Sequence, residues 1–252
     1  TTVTTTGVHK FDRHQLSAAV TVGNSTDVLL ADNFIRSGQG WGGIYASGER
    51  FTVEHNTVHT ESVITNHAGI YVGGQDNHVR ANTITADPGQ GLRIDGARNI
   101  AEDNDITIYS VAPNWDIGRY SLDGIRVNDY YNGTTTQQVI RNNRITIYGT
   151  NSPYYERGEH YLNGILNVSN GPGNVFEGNV IRTIKVDPEV VVSGIMPGSK
   201  DEVVVWRNNT IISDQYGVLF GAYPKYSLNT RFESNRFVKG DTATADYAVL
   251  AA

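Results

Sequence analysis

The chain has 252 residues, a formal net charge of −6, no cysteine, 27 glycines and 14 tyrosines. That length suits one large all-β domain, and the missing cysteines exclude disulfides and thiolate metal sites. The negative charge speaks against nucleic acid, whose binding rests on neutralising phosphates, and no apolar run approaches membrane-spanning length.

The opening "TTVTTTGVHK" has no initiator methionine and no signal peptide, as expected of a mature fragment or a domain cut from a longer protein. The first regular feature is Leu30, Asn33 and Ile35, followed ten residues after the asparagine by a glycine-led strand, "GIYA" from Gly43. The phrase returns as Val53, Asn56 and Val58 with "GIYV" from Gly69, and as Val79, Asn82 and Ile84 with "GLRI" from Gly91. Ala101, Asn104 and Ile106 then precede "GIRV" from Gly124, and Ile140, Asn143 and Ile145 precede "GILN" from Gly164. Phe176, Asn179 and Ile181 lead to "GIMP" from Gly194, and Trp206, Asn209 and Ile211 to "GVLF" from Gly217. Phe232, Asn235 and Phe237 close the series before the final "ADYAVLAA".

Successive asparagines lie 22 to 39 residues apart, a spacing that marks a solenoid. The strands alternate apolar and polar residues over short runs, and sustained helical spacing is missing. The expected fold is therefore all-β: a right-handed parallel β-helix of about eight coils, forming a single domain over 1–252. Asparagine suits the corners because it tolerates left-handed backbone, and its stacked amides can bond from coil to coil. Pro88, Pro113, Pro153, Pro172, Pro188 and Pro224 fall between the strands, while Pro197 at a strand's end is awkward. The aligned apolar residues point inward, so Trp206 is expected in the core and not as a sugar platform.

Function in a solenoid concentrates where the repeat is interrupted and on one exposed face. Two consecutive intervals from asparagine to glycine strand are long, 20 and 21 residues. They hold the segments 107–123 and 146–163, which carry Tyr109, Trp115, Tyr120, Tyr148, Tyr154, Tyr155 and Tyr161. The outward residue two places after each leading glycine reads Tyr45, Tyr71, Arg93, Arg126, Leu166, Met196 and Leu219. Tyr45, Tyr71, Arg93 and Arg126 thus form a polar-aromatic stripe whose pitch, roughly 4.8 Å per coil, is close to one sugar unit. Such a stripe fits a glycan track: aromatic faces meet the axial C–H groups of pyranoses, while Arg93, Asp95 and Arg126 bind hydroxyls. Trp115, Tyr120, Tyr154 and Tyr155 are expected to wall it. The plain alternative is that these tyrosines only pack on their neighbours.

Catalysis on the same stripe is the rival reading. A glycosidase needs two carboxylates flanking the bond, one of them with a raised pKa. Asp95 and Asp123, on adjacent coils, are the candidates, with Asp129, Glu156 and Glu159 nearby. A β-elimination lyase needs a base, for which Arg126 is the candidate, with Arg93, Tyr120 and His160 as further ones. No run of adjacent aspartates and no calcium cluster stands out, so binding without turnover is expected. The seven histidines are scattered, and neither a metal site nor a cofactor is expected.

The Asn-x-Ile and Gly-Ile-x-Val rungs cover nearly the whole chain and resemble the pectate-lyase-like superfamily of right-handed β-helices. Lyases, hydrolases, epimerases and adhesins share that fold. With its aromatic insertions and few enzyme motifs, the chain is similar to the β-helical carbohydrate-binding modules of gut-bacterial xylanases, carbohydrate-binding module family 89. That resemblance implies non-catalytic recognition of plant cell-wall polysaccharide, xylan above all, beside a covalently linked catalytic domain in a secreted protein. The other readings are a β-helical polysaccharide lyase or glycoside hydrolase, and a surface adhesin. "ADYAVLAA" falls where another glycine strand belongs, and no amphipathic helix caps the start, so neighbouring domains are expected to cover both ends.

Overall fold

In a computed structural model, the described residues are 2–5, 18–38, 42–61, 68–87, 89–109, 122–128, 135–150, 161–169, 171–187, 190–197, 203–220, 229–241 and 249–251. The corner that generates the coil is short. A strand of three or four residues ends, one residue takes left-handed backbone, and an asparagine follows. The left-handed residues are Asp32, His55, Ala81, Asp103, Asn142, Gly178, Asn208 and Ser234, with φ between +52° and +64°. This corrects the expectation that the repeated asparagine adopts that conformation itself. The residue before it does, and the asparagine contributes its side chain.

That side chain is used to capacity. Nδ2 of Asn33, Asn56, Asn82, Asn104, Asn143, Asn179 and Asn209 donates to Oδ1 of the next asparagine at 2.8–3.0 Å. The same Oδ1 also accepts the backbone N–H of the preceding asparagine at 2.9–3.1 Å. Within the ladder, Nδ2 bonds a carbonyl one coil back as well, as Asn143 does to Ala101 at 3.0 Å. A shorter ladder lies at another corner. Asn77 Oδ1 accepts the Phe51 N–H at 2.8 Å, Asn99 Oδ1 that of Asn77 at 2.9 Å, and Asn174 Oδ1 that of Gln138 at 2.9 Å. Its signal in the sequence is a polar amide two places before the inward Val79, Ala101, Ile140 and Phe176.

Stacked in this way, the strands of the described residues make three parallel sheets of nine, nine and eight strands, each strand pairing with its counterpart one coil away. The chain is thus the expected all-β parallel β-helix. Eight coils is an approximate count, since two of the sheets hold a ninth strand. The first sheet contains strands such as Phe34–Ser37 and Thr83–Ala86, the second Gly42–Glu49 and Leu122–Val127, and the third Thr52–Glu54 and Val139–Arg141.

The inward columns follow the aligned residues. Ile35, Val58, Ile84, Ile106, Ile145, Ile181 and Ile211 are partners in register and at most 1% exposed. Trp206 is fully buried and stacks on Phe176 with ring centroids 3.9 Å apart, a core residue as expected. Pro172 lies in a turn and Pro197 directly after Val191–Met196, so neither interrupts a strand; the other prolines of the alignment lie outside the described residues.

The leading glycines have a packing cause. A Cβ on Gly124 would stand 2.3 Å from Ile145 Cγ2 and 2.6 Å from the Gly164 carbonyl oxygen. The second sheet approaches the first too closely there for any side chain.

The outer face of the third sheet alternates in charge. Glu54, Arg80, Glu102, Arg141, Glu177, Arg207 and Glu233 are successive partners in register. Arg80 pairs with Glu54, Arg141 with Glu102 and Arg207 with Glu177 at 2.5–2.8 Å.

Mid-ladder and end-ladder asparagines should differ in cost. Asn143→Ala removes bonds to two neighbouring coils and strands buried partners, so a loss of at least about 3 kcal/mol is expected, at about 1–3 kcal/mol per buried group left unpaired. Asn33→Ala removes only its own two side-chain bonds, to Ala31 and Asn56, and should cost distinctly less. Urea denaturation midpoints of the two variants give the comparison, and equal losses would contradict the ladder's role.

Candidate functional site

The stripe expected on the second sheet exists as a register column. Tyr45, Tyr71, Arg93, Arg126, Leu166 and Met196 are successive Cα partners. Tyr45 and Tyr71 stack with centroids 4.6 Å apart and planes 14° apart, and Arg93 Cζ lies 5.5 Å from the Tyr71 centroid, within cation–π range. The column is not the open track that the sequence implies. Tyr71 is 8% exposed and Arg93 7%, so Tyr45 and Arg126, both half-buried, are its accessible members. Tyr45 and Tyr71 turn faces toward each other, which leaves fewer faces for a sugar. Beyond Arg126 the column turns apolar: Leu166, Met196 and Leu219 are buried together, with Val168, Val191 and Tyr216 against them.

Two further outward columns flank the stripe. On one side stand Asp95 and Asn128, which the register sets opposite each other through Ile94 and Val127. Asp95 Oδ2 accepts hydrogen bonds from the Tyr71 hydroxyl at 3.1 Å and from an Arg93 guanidinium nitrogen at 3.2 Å. Tyr71 reaches it by lying over Gly73, where an added Cβ would meet the Tyr71 hydroxyl at 2.6 Å. On the other side the residues before the leading glycines form a column of Gln90, Asp123, Asn163 and Ser193, each at most 1% exposed. Asn163 Nδ2 donates to Asp123 Oδ1 at 2.8 Å, Ser193 Oγ donates to Asn163 Oδ1 at 2.7 Å, and Arg126 lies 3.6 Å from Asp123 Oδ2. Of this column only Asp123 is among the candidates named from the sequence. Its signal was the polar residue in "QGLR", "DGIR", "NGIL" and "SGIM".

Asp95 and Asp123, proposed as partners because their coils are adjacent, are not brought together. They occupy opposite ends of their strands with the arginine column between them, Asp123 facing Gln90 and Asp95 facing Asn128 by extension of the same register. Trp115, Tyr120, Tyr154 and Tyr155, the expected walls, lie outside the described residues, as do Asp129, Glu156, Glu159 and His160.

Electrostatics follows from burial. Burial pushes the Asp95 carboxyl above its usual 3.8, and Arg93 and the Tyr71 hydroxyl pull it only partly back. The Tyr71 hydroxyl is likewise pushed up, by burial first and then by the negative charge of Asp95. The folded state therefore favours protonated Asp95. Stability from this group is fully present below the unfolded value and is lost as pH rises through the higher folded value. Asp95→Asn should accordingly match the parent most closely in acid and gain on it as pH rises from about 4 towards 7. Denaturation midpoints of both proteins across that range measure the difference, and parallel profiles would refute it.

Comparison with known proteins places the chain. A solved structure, "Crystal structure of alginate lyase from Paenibacillus sp. str. FPU-7", matches over 90% of this chain and 100% of that one, at 14% identity and a TM-score of 0.41; a likeness at that level carries no argument about chemistry. No curated protein matches. The sequence model of one family, described as "Periplasmic copper-binding protein (NosD)", matches residues 2–133, just over half of the chain. With its repeated rungs and parallel coils, this chain belongs to the NosD family.

Proposed function

We propose that the chain is an exported carbohydrate-binding β-helix that holds a plant cell-wall polysaccharide of the xylan class on the outer face of its second sheet. In this reading it binds without cleaving, within one domain spanning 1–252, and serves a catalytic domain of the same parent chain. One observation carries the proposal: Tyr45 and Arg126, the less buried members, stand in one register column with Tyr71 and Arg93, and that column is backed by Asp95. Aromatic and guanidinium groups at the spacing of parallel strands suit a ligand that is itself repetitive and rich in hydroxyls. Binding without turnover fits the separation of Asp95 from Asp123.

A β-helical polysaccharide lyase is the second reading, favoured by the contact of Tyr71 with the buried Asp95 beside Arg93. Absorbance from unsaturated products on pectate or alginate would establish it and displace the first.

Copper, named in the family's description, finds no fit among the described residues. The chain has no cysteine and one methionine, and Met196 is buried among Leu166 and Leu219. No group of three histidine, aspartate or glutamate side chains that could hold a metal occurs among the described residues. Soft sulfur ligands and clustered imidazoles, which select copper, are thus not assembled there.

Affinity electrophoresis in gels containing soluble xylan tests the binding reading. Tyr45→Ala should weaken retention by about 1–3 kcal/mol, by analogy with the loss of an aromatic stacking platform. Arg126→Ala should cost a similar amount through lost charged hydrogen bonds. Parent-like retention of both variants would remove the second sheet from the site, and Trp115→Ala makes the same test of the 107–123 segment.

A further inference from the structure

Gln90, Asp95 and Asn128 share a property that the fold does not explain. They lie on the outer face of the second sheet within or directly after neighbouring strands, Gln90–Ile94 and Leu122–Val127, and are 0%, 5% and 8% exposed. Yet neither end of the Gln90 amide, nor Oδ1 of Asp95, nor Nδ2 of Asn128 has a hydrogen-bond partner. Buried polar groups are ordinarily bonded, because an unpaired one costs about as much as a lost hydrogen bond. The rest of Gln90's own column obeys that rule, with Asp123, Asn163 and Ser193 chained to one another. Other unbonded buried atoms, such as Gln138 Oε1 and Trp206 Nε1, are scattered over the described residues, whereas these four gather on two adjacent coils and one face.

Their placement defines a shape. Along one strand the outward polar residues are Gln90, Arg93 and Asp95, and along the next Asp123, Arg126 and Asn128. Five residues of strand span roughly 16 Å, whereas the two coils are roughly 4.8 Å apart. The polar patch is therefore long in the strand direction and narrow along the helix axis. Axially it is bounded by the stacked Tyr45 and Tyr71 on one side and by the apolar Leu166 and Met196 on the other. Its charges are already matched, Arg93 with Asp95 and Arg126 with Asp123. Two amides and one carboxylate oxygen of the patch have atoms without a hydrogen-bond partner. A hydroxyl donates and accepts at once, and so can serve either end of an amide.

Building on the glycan-binding reading, we infer that the polysaccharide lies across the coils, parallel to the strands, with Gln90 bonding sugar hydroxyls at one end and Asn128 with Asp95 at the other. The patch takes a stretch of about three sugar units and reads neutral hydroxyls, not a uronate carboxylate. The unpartnered amides are held for the ligand, at the expense of the free protein's stability.

Gln90→Leu and Asn128→Leu, measured beside Tyr45→Ala by affinity electrophoresis in soluble xylan and by urea denaturation, decide the matter. Each leucine variant should bind about three- to tenfold more weakly, the range for one neutral hydrogen bond. Its denaturation midpoint should be unchanged or higher, because an apolar side chain replaces an unpartnered amide; Gln90→Met serves if Gln90→Leu does not fold. Weaker binding together with an undiminished midpoint supports the inference. Parent-like binding by both leucine variants, with Tyr45→Ala impaired, would set the glycan along the axis and overturn the inference while leaving glycan binding intact. Parent-like binding by all three variants overturns it as well and marks the orphan groups as sites for internal water. A parent protein that no xylan retains ends the glycan reading, and this inference with it.

Discussion

The structure depends on what one primary amide can do at one corner. Strands in a stacked coil satisfy their backbone groups through the sheet, but a tight corner leaves N–H groups facing inward with no strand to meet them. Each interior asparagine answers with an oxygen that accepts twice and a nitrogen that donates twice. A neutral hydrogen bond contributes only about 1 kcal/mol net, so the ladder's importance lies in what its loss would leave buried and unpaired. Because the amide-to-amide bonds all join different coils, the ladder also sets register. The isoleucine column, the glycine column and the outward columns of the second sheet are all in phase because the asparagines are.

Register of this kind makes a site from residues far apart in sequence. Arg93 and Arg126 are neighbours because the second sheet advances one strand per coil, although the long 107–123 segment separates their strands. The chain between first and second sheet can vary in length without disturbing the stack, since the ladders close other corners. Elaboration is therefore admitted at the edge where the glycine strands begin, beside the buried polar columns. The same tight approach that forbids a side chain on Gly124 brings the residue before it, Asp123, to the outer face next to Arg126.

The architecture was legible because its determinants are periodic and local. An asparagine followed two places later by a β-branched residue needs no long-range knowledge to be noticed, and the columns from Ile35 to Ile211 fell where the pattern placed them. The backbone reason for the asparagine was misread because left-handed φ belongs to a position occupied by eight residues of varied type, from Asp32 to Ser234. The stripe was legible as a column but not as a surface: alternation tells which way Tyr71 and Arg93 point, not what covers them. Gln90 and Asn128 escaped notice for a related reason. A polar residue at the end of a strand reads as an ordinary corner, and only burial without a partner sets it apart. The pairing of Asp95 with Asp123 failed because adjacency of coils was taken for adjacency of residues.

The alternating acids and bases on the third sheet carry a consequence for how such a chain can change length. Individually these surface pairs are weak, but their sign repeats every second coil, from Glu54 through Arg80 to Glu102 and onward to Glu233. Removing or duplicating a single coil would bring glutamate against glutamate or arginine against arginine at the junction. Removing or duplicating two would restore the sequence of signs and leave the face as it was. The hydrophobic and asparagine columns are indifferent to that choice, being the same in every coil. The charged face alone distinguishes odd from even, and so gives this solenoid a natural unit of growth twice the size of its structural repeat.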